Sequence, residues 1–514
     1  MMKRILLLLL CLCLTAPAAL AGAETSIVLG DDIITVNGAP ITEDPTQSVY
    51  LAREVETHPG VSAELAGLEN RTVTITAAGS YRISGEATDA RIAVRAGEND
   101  RVRLILDGVT LTCRTSSALQ GYSAYDPRTP GEYGLTIELA EGSENVITGS
   151  HAEGDADLDG AVDSLVSLGF EGSGRLTVEA DNEGVEVKYG HLTINGGVFH
   201  ITAGDDPLNV SEDGVGTLTV NAGYLYSAVR ATQGGEGDGI DSNGQIIFNG
   251  GTAINLAHPQ SQDGGIDSDG GSYVNGGVIV GAGNMYDPIE ADSRQLFMML
   301  EFAQQTDDLL VVTDAGGTPV FAYDFPHSYT YIAFSSPLLR EGESYRVYLG
   351  GTVEGTQTDG LYTEITAYTP GTLMRHGEGT AARTPGMDGM GNPGNFPQGG
   401  FDPGQGGPWL PDGLDLNVIL ADADLNELLA GKDLNLLLTG FSITDLLSAE
   451  QLEQYLGDAD PAQLAALSRG RGQRGMDQPF GGAPRGMESS ADVATTDFLL
   501  TRQTTGFTNI RPAQ

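Results

Sequence analysis

The stretch Asp238-Gly239-Ile240-Asp241-Ser242-Asn243-Gly244-Gln245-Ile246-Ile247-Phe248-Asn249-Gly250-Gly251 has a near copy 26 residues on, Gly264-Gly265-Ile266-Asp267-Ser268-Asp269-Gly270-Gly271-Ser272-Tyr273-Val274-Asn275-Gly276-Gly277. Working outward, the turn at its end occurs earlier as Asn195-Gly196-Gly197 and Asn221-Ala222-Gly223, so the turns recur every 26 to 28 residues. A second register is an aliphatic residue followed by an acid or amide: Val162-Asp163, Val185-Glu186, Leu208-Asn209, Ile240-Asp241, Ile266-Asp267 and Ile289-Glu290. Short repeats with strand-like alternation and Gly/Asn turns predict a solenoid whose coils bury apolar positions by stacking on one another. A helical solenoid is excluded by glycine, which costs about 1 kcal/mol at each helix-interior position. A propeller blade needs about 40 residues or more. The expected fold is therefore all-β, a parallel β-helix.

Stacking turns sequence columns into spatial columns, because equivalent residues on adjacent strands lie about 4.8 Å apart. One column then reads Asp163, Glu186, Asn209, Asp241, Asp267 and Glu290, with a partial second one, Glu183, Asp206, Asp238 and Asp287, three residues earlier. Like charges at that spacing repel by roughly 3 kcal/mol per pair at an effective dielectric of about 20. Such ladders invite protons or cations, and calcium, Ca2+, suits carboxylate-rich, glycine-rich turns because it takes six to eight oxygen ligands in flexible geometry. Asn243, Asp263 and Asp269 complete the expected ligand set in the two near copies. The segment from Asp155 to Asp163 matches the start of a calcium loop, but position twelve is Val166, so no EF-hand is expected. A solvated acidic face is the competing reading, since Asp also serves turns.

The whole chain has 514 residues, 72 of them glycine, with 70 acidic against 26 basic side chains and a formal net charge of −44. That balance opposes nucleic acid and anionic membranes as partners. Lys3 and Arg4 precede an apolar run, Ile5 to Leu14, and an Ala19-Leu20-Ala21 cleavage site, which reads as a Sec signal peptide over residues 1–21. No membrane span is expected in the mature chain. Cys113 is the only cysteine beyond that segment, so no disulfide is expected within the exported chain.

The runs Gly239-Ile240-Asp241-Ser242-Asn243-Gly244 and Leu192-Thr193-Ile194-Asn195-Gly196-Gly197 follow an earlier strand, Leu104-Ile105-Leu106-Asp107-Gly108-Val109-Thr110-Leu111. With Val311-Val312-Thr313-Asp314-Ala315-Gly316-Gly317 and Gly342-Glu343-Ser344-Tyr345, they resemble a family of bacterial secreted carbohydrate-binding proteins over roughly residues 70 to 370. The resemblance implies a pectate-lyase-like right-handed parallel β-helix, a C-terminal β module, calcium binding and affinity for plant-type polysaccharides of the cellulose and polygalacturonate kinds. It implies no established catalysis.

A polygalacturonate would be repelled by an acidic protein unless cations intervened. The sole tryptophan, Trp409, lies in a Gly/Pro-rich linker, leaving Tyr224, Tyr226, Tyr273 and Tyr286 as candidate carbohydrate-binding rings, with packing between coils as their alternative role. Acidic or soluble polysaccharides are thus favoured over crystalline surfaces. A lyase or glycoside hydrolase is the enzymatic alternative, with paired acids for hydrolysis but few basic residues on the coils to serve a lyase: Arg175, Lys188 and Arg230 between positions 163 and 290. A structural adhesin is the third reading.

The expected organisation is an N-terminal cap at 25–70, the β-helix at 71–295, a small β module at 296–373, a linker at 374–412, a Leu-rich nonapeptide-repeat helical insert at 413–468, a second linker at 469–496 and a closing strand at 497–510. The insert, with Asp415-Leu416-Asn417, Asp424-Leu425-Asn426 and Asp433-Leu434-Asn435, is a candidate protein-docking element. With no sorting motif after the signal peptide, release or non-covalent association with the cell surface is expected.

Overall fold

The computed structural model describes residues 24–55, 64–65, 67–149, 159–285, 287–377, 379–380, 495–502 and 504–513, and all of them belong to one of the chain's two units, Met1–Met387 with Val493–Gln514. The signal peptide, Asp155 and Asp157 of the loop before Asp163, Tyr286, most of the two linkers and the insert at 413–468 lie outside the described residues.

Alternation of apolar and polar residues makes strands throughout, and no helix occurs among the described residues. The described residues are all-β. The central strands fall into three columns of parallel neighbours. The first holds Leu135–Leu139, Leu168–Gly172, His191–Ile194, Thr217–Val220, Gln245–Phe248 and Ser272–Val274. The second holds Glu144–Gly149, Arg175–Ala180, Val198–Ala203, Tyr224–Val229, Thr252–Leu256 and Val278–Gly283. The third runs through Ala90–Arg95, Leu119–Ser123, Gly160–Ser164, Glu183–Val187, Leu208–Val210, Asp241–Ser242 and Asp267–Ser268. Upstream, the 11-residue strand Val102–Thr112 pairs with the first strand of both the first and second columns.

Every second residue points inward and stacks on its register partner. Leu168, Leu192, Leu218 and Ile246 form one such file, and Phe170, Ile194, Val220, Phe248 and Val274 the next, all essentially without solvent contact. Each fully buried side chain of this size contributes about 1.5–3 kcal/mol relative to exposure.

The turn from first to second column is set by backbone chirality. Gly197, Gly223, Gly251 and Gly277 have φ of 96°, 96°, 80° and 101°. A Cβ on Gly223 would stand 2.6 Å from the carbonyl oxygen of Gly197 one pass earlier. Glycine is required there for conformation and for stacking distance together. Beside these glycines the asparagines join hands: Asn221 Nδ2 donates to Asn195 Oδ1 (2.7 Å), Asn249 to Asn221 (2.8 Å) and Asn275 to Asn249 (2.9 Å), while Asn195 donates to the Tyr133 hydroxyl (2.8 Å).

At the N-terminal end Thr25–Leu29 pairs in parallel with Gly79–Thr88, and Val49–Val55 pairs antiparallel with Glu69–Ile75. At the other end Val278–Gly283 meets Tyr329–Ser335 antiparallel. There Leu310–Asp314, Pro319–Tyr323, Leu361–Arg375 and Ser344–Thr358 pair in a closed ring of four. The segment expected as one closing strand is two: Phe498–Leu499 pairs with Ser344–Thr358, and Gly506–Pro512 pairs with Phe297–Thr306. A turn between Thr501 and Thr504 separates them. Tyr323 of the ring shares an apolar core with Tyr329, Phe334 and Phe498 and with Ile254, Leu256 and Val280 of the second column.

Candidate functional site

In the third column, Val162, Val185, Leu208, Ile240 and Ile266 are drawn into the core, which forces the following residue outward. Register partners then run Gln120, Asp163, Glu186, Asn209, Asp241 and Asp267. Five of the six residues of the expected column are thus brought into line. Glu290 is the exception: Ile289 bridges Ser272 in the first column, which carries Glu290 away from the Asp267 strand. The reason is that the third column ends at Asp267–Ser268, and the chain turns toward the terminal module.

The second row is bound through its backbone. Asp238 N–H donates to Asp206 Oδ1 (2.6 Å), and Gly264 N–H donates to Asp238 Oδ1 (2.5 Å). Glu183 Oε1 accepts from Asn209 Nδ2 (3.1 Å). Asp287 leaves this row; its Oδ2 accepts from Ser268 N–H (3.2 Å). Asp263 Oδ2 accepts from Gly237 N–H (2.7 Å), and Asn243 Nδ2 donates to Asp213 Oδ1 (2.9 Å), while Asp269 stands exposed at the rim. Where the rows meet, Asp238, Asp241 and Asp267 each present one carboxylate oxygen, all within 4.8 Å of one another.

Bringing these acids together raises their proton affinity. Burial and then the Asp267 carboxylate push Asp241 up to about 8. Burial, with Glu236 and Asp263 adding to it, lifts Asp205 to about 6. Asp163, Glu183, Asp206 and Asp238 are likewise driven well above the usual carboxylate range, by burial first and by neighbouring carboxylates second. Several oxygens also lack a partner among the described residues: Gln120 Oε1, Asp163 Oδ1, Glu183 Oε2, Glu186 Oε2 and Asn209 Oδ1. Their other halves are engaged. Asp163 Oδ2 accepts from the N–H groups of Asp159 and Gly160, and Glu186 Oε1 accepts from Lys188 Nζ (2.9 Å) and Ser211 Oγ (2.5 Å).

A buried acceptor with no donor costs about 1–3 kcal/mol, and more if charged. An oxygen-only set of this kind fits a hard divalent cation and offers nothing soft to zinc or copper. Gln120 is a member of the column that the sequence reading missed. Its signal was present, since Leu119-Gln120 is the same aliphatic-then-amide pair one pass earlier.

The tyrosines do not form one row. Tyr224 and Tyr226 lie on the second column, against the terminal module's core. The Tyr224 hydroxyl donates to Asp359 Oδ2 (2.7 Å) at the tip of the module's long hairpin, and the His200 ring lies alongside both tyrosines, with centroids 5.9 and 5.6 Å away. Tyr273 belongs to the first column.

Residues 69–284, the stretch that carries the stacked columns, match the family model described as "Carbohydrate-binding domain-containing protein". A carbohydrate-binding domain-containing protein of Acetivibrio thermocellus is 31% identical over 142 residues, which cover 26% of this chain and 46% of that relative, so the match spans about half the length of the curated protein. A solved structure of the polysaccharide lyase-like protein from C. thermocellum, as a gadolinium derivative, aligns at 23% identity with a TM-score of 0.35, covering 50% of this chain and 90% of its own. No helix among the described residues is long and apolar enough to cross a membrane.

Proposed function

We propose that this chain is an exported, non-catalytic, calcium-dependent binder of acidic polysaccharide, built as a right-handed parallel β-helix. The observation that carries the reading is the row of outward carboxylates in register, with partnerless buried oxygens along it and three carboxylates converging at Asp238, Asp241 and Asp267. Those three would hold calcium at one end of the row, and Asp163, Glu186 and Asn209 offer further oxygens along it. When bound, the ion neutralises the row and leaves coordination positions for sugar carboxylates and hydroxyls. The family match over residues 69–284 supports the carbohydrate part of the reading.

A non-catalytic role is favoured by the state of Lys188, the basic residue nearest the row. Its ammonium is held by Glu186 (2.9 Å) and Asp159 (3.2 Å), and although burial opposes its charge, those carboxylates push its pKa upward on balance. A protonated, doubly paired lysine is a poor base.

The test is calorimetry of calcium binding to the mature protein, alone and with polygalacturonate. Calcium binds and strengthens glycan binding in the parent protein, and Asp241→Asn and Asp267→Asn weaken both by tenfold or more, as about 1.4 kcal/mol of lost coordination would give. Absence of calcium binding removes the proposal and leaves a structural surface protein as the better reading. Release of unsaturated product would convert it to a lyase.

A further inference from the structure

Where the terminal module joins the last pass of the first column, a cleft of about 370 Å3 is lined by Arg294, Arg340 and Arg502 together with Asn275, Gln295 and Glu341, none of them a member of the acidic row. A chain with 26 basic residues in 514 gathers three of them here, against a single lining acid. Two of the guanidinium groups are fixed from behind. Arg502 donates to the carbonyl oxygens of Ser293 (2.8 Å) and Arg294 (3.0 Å) and lies 3.6 Å from Glu341, while Arg340 Nη1 donates to the carbonyls of Pro337 (2.6 Å) and Leu339 (2.9 Å). The exposed side chain of Arg294 has no partner among the described residues.

The asparagine file ends at the same cleft. Each amide donates toward the preceding pass, so the last carbonyl, Asn275 Oδ1, accepts from no donor among the described residues. Gln295 is held in place by bonds from its amide to Gly277 O (2.6 Å) and Ser335 Oγ (2.8 Å).

We propose that this cleft is a second, metal-independent glycan subsite that takes a uronic-acid unit. Arg294 pairs with the sugar carboxylate in the fork geometry guanidinium allows, Arg340 and Arg502 supply a fixed positive wall, and Asn275 Oδ1 accepts from a sugar hydroxyl. The volume lies within the range of small-ligand sites. The subsite shares the acidic-glycan reading above but not its calcium, so the two fail separately.

The experiment is titration of the full mature protein with tri-galacturonate in EDTA at low salt, with a neutral galactose trisaccharide and inorganic sulfate as comparators. Tri-galacturonate binds, the neutral sugar does not, and Arg294→Gln weakens binding about tenfold or more, the size of one lost charge-assisted hydrogen bond. Asn275→Ala weakens it by a smaller factor, and unchanged thermal melts show that both variants fold. Binding that vanishes in EDTA overturns the subsite while leaving the calcium row intact. So does binding indifferent to Arg294→Gln, or sulfate competing as well as the uronate, which marks a bare anion patch.

Discussion

At the scale of the residue, Asp241 combines a position set by hydrophobic burial with a charge that burial opposes. Ile240 is pulled fully into the core, and the next side chain has no choice but to join the outward row. In calcium-free protein Asp241 keeps its proton up to about pH 8, whereas its ordinary value is 3.8. The folded state therefore binds more protons than the unfolded chain between those values. Its contribution to stability is fully present below about pH 3.8 and is lost as the pH rises through about 8, because the linkage slope is negative wherever the native state holds the extra proton. Thermal melts in EDTA should consequently fall from pH 5 to pH 8. Added calcium should raise the pH 8 melt far more than the pH 5 melt, since the ion competes with those protons. Equal shifts at both pH values would exclude the row as the ion site.

Elements were legible in the sequence to different degrees. Strand alternation and Asn-Gly-Gly turns announce the stacked passes because each carries a local requirement: burial every second residue, and positive φ at Gly197, Gly223, Gly251 and Gly277. The row from Asp163 to Asp267 was readable for the same reason, as register follows the hydrophobic pattern. Glu290 and Asp287 were misplaced because nothing local reveals where a column stops: the third column ends at Asp267–Ser268, and the next segment pairs Ile289 with Ser272 of the first column, a tertiary effect.

The asparagine file was equally invisible as a bonded object, although its members were seen as turn residues. Side-chain amides that donate from pass to pass add a lateral tie that backbone pairing alone does not supply. Replacing Asn221 by alanine removes two of these bonds and should cost about 1–2 kcal/mol, read as a lowered denaturation midpoint at unchanged m-value. Alanine at the exposed Asn195 also removes two bonds, to Tyr133 and from Asn221, so a null effect at both sites would mean that water replaces the file without loss.

For the whole molecule, the terminal module is fastened to the stack by polar contacts as well as by its apolar core. Asp359 at the hairpin tip accepts from His200 Nε2 (2.8 Å) and Tyr224, joining the module to strands three and two passes before Val278–Gly283, where the module is seated. The Asp359→Ala variant should loosen that tip, with a loss of about 1–3 kcal/mol in stability and faster proteolysis near Gly360, while calcium affinity holds. Tyr224, a candidate sugar platform in the sequence with packing as its alternative role, has its hydroxyl engaged in this fastening while its partly buried ring packs against the module's core.

The antiparallel meeting of Val278–Gly283 with Tyr329–Ser335 has a consequence for how such molecules coexist at high concentration. A column of parallel strands exposes, at its growing end, a template that another copy could extend indefinitely. A strand running the opposite way occupies that template and offers the wrong polarity to a parallel newcomer. The second column thus carries its own chain terminator, so that a concentrated solution of these proteins remains a population of separate molecules instead of a fibre.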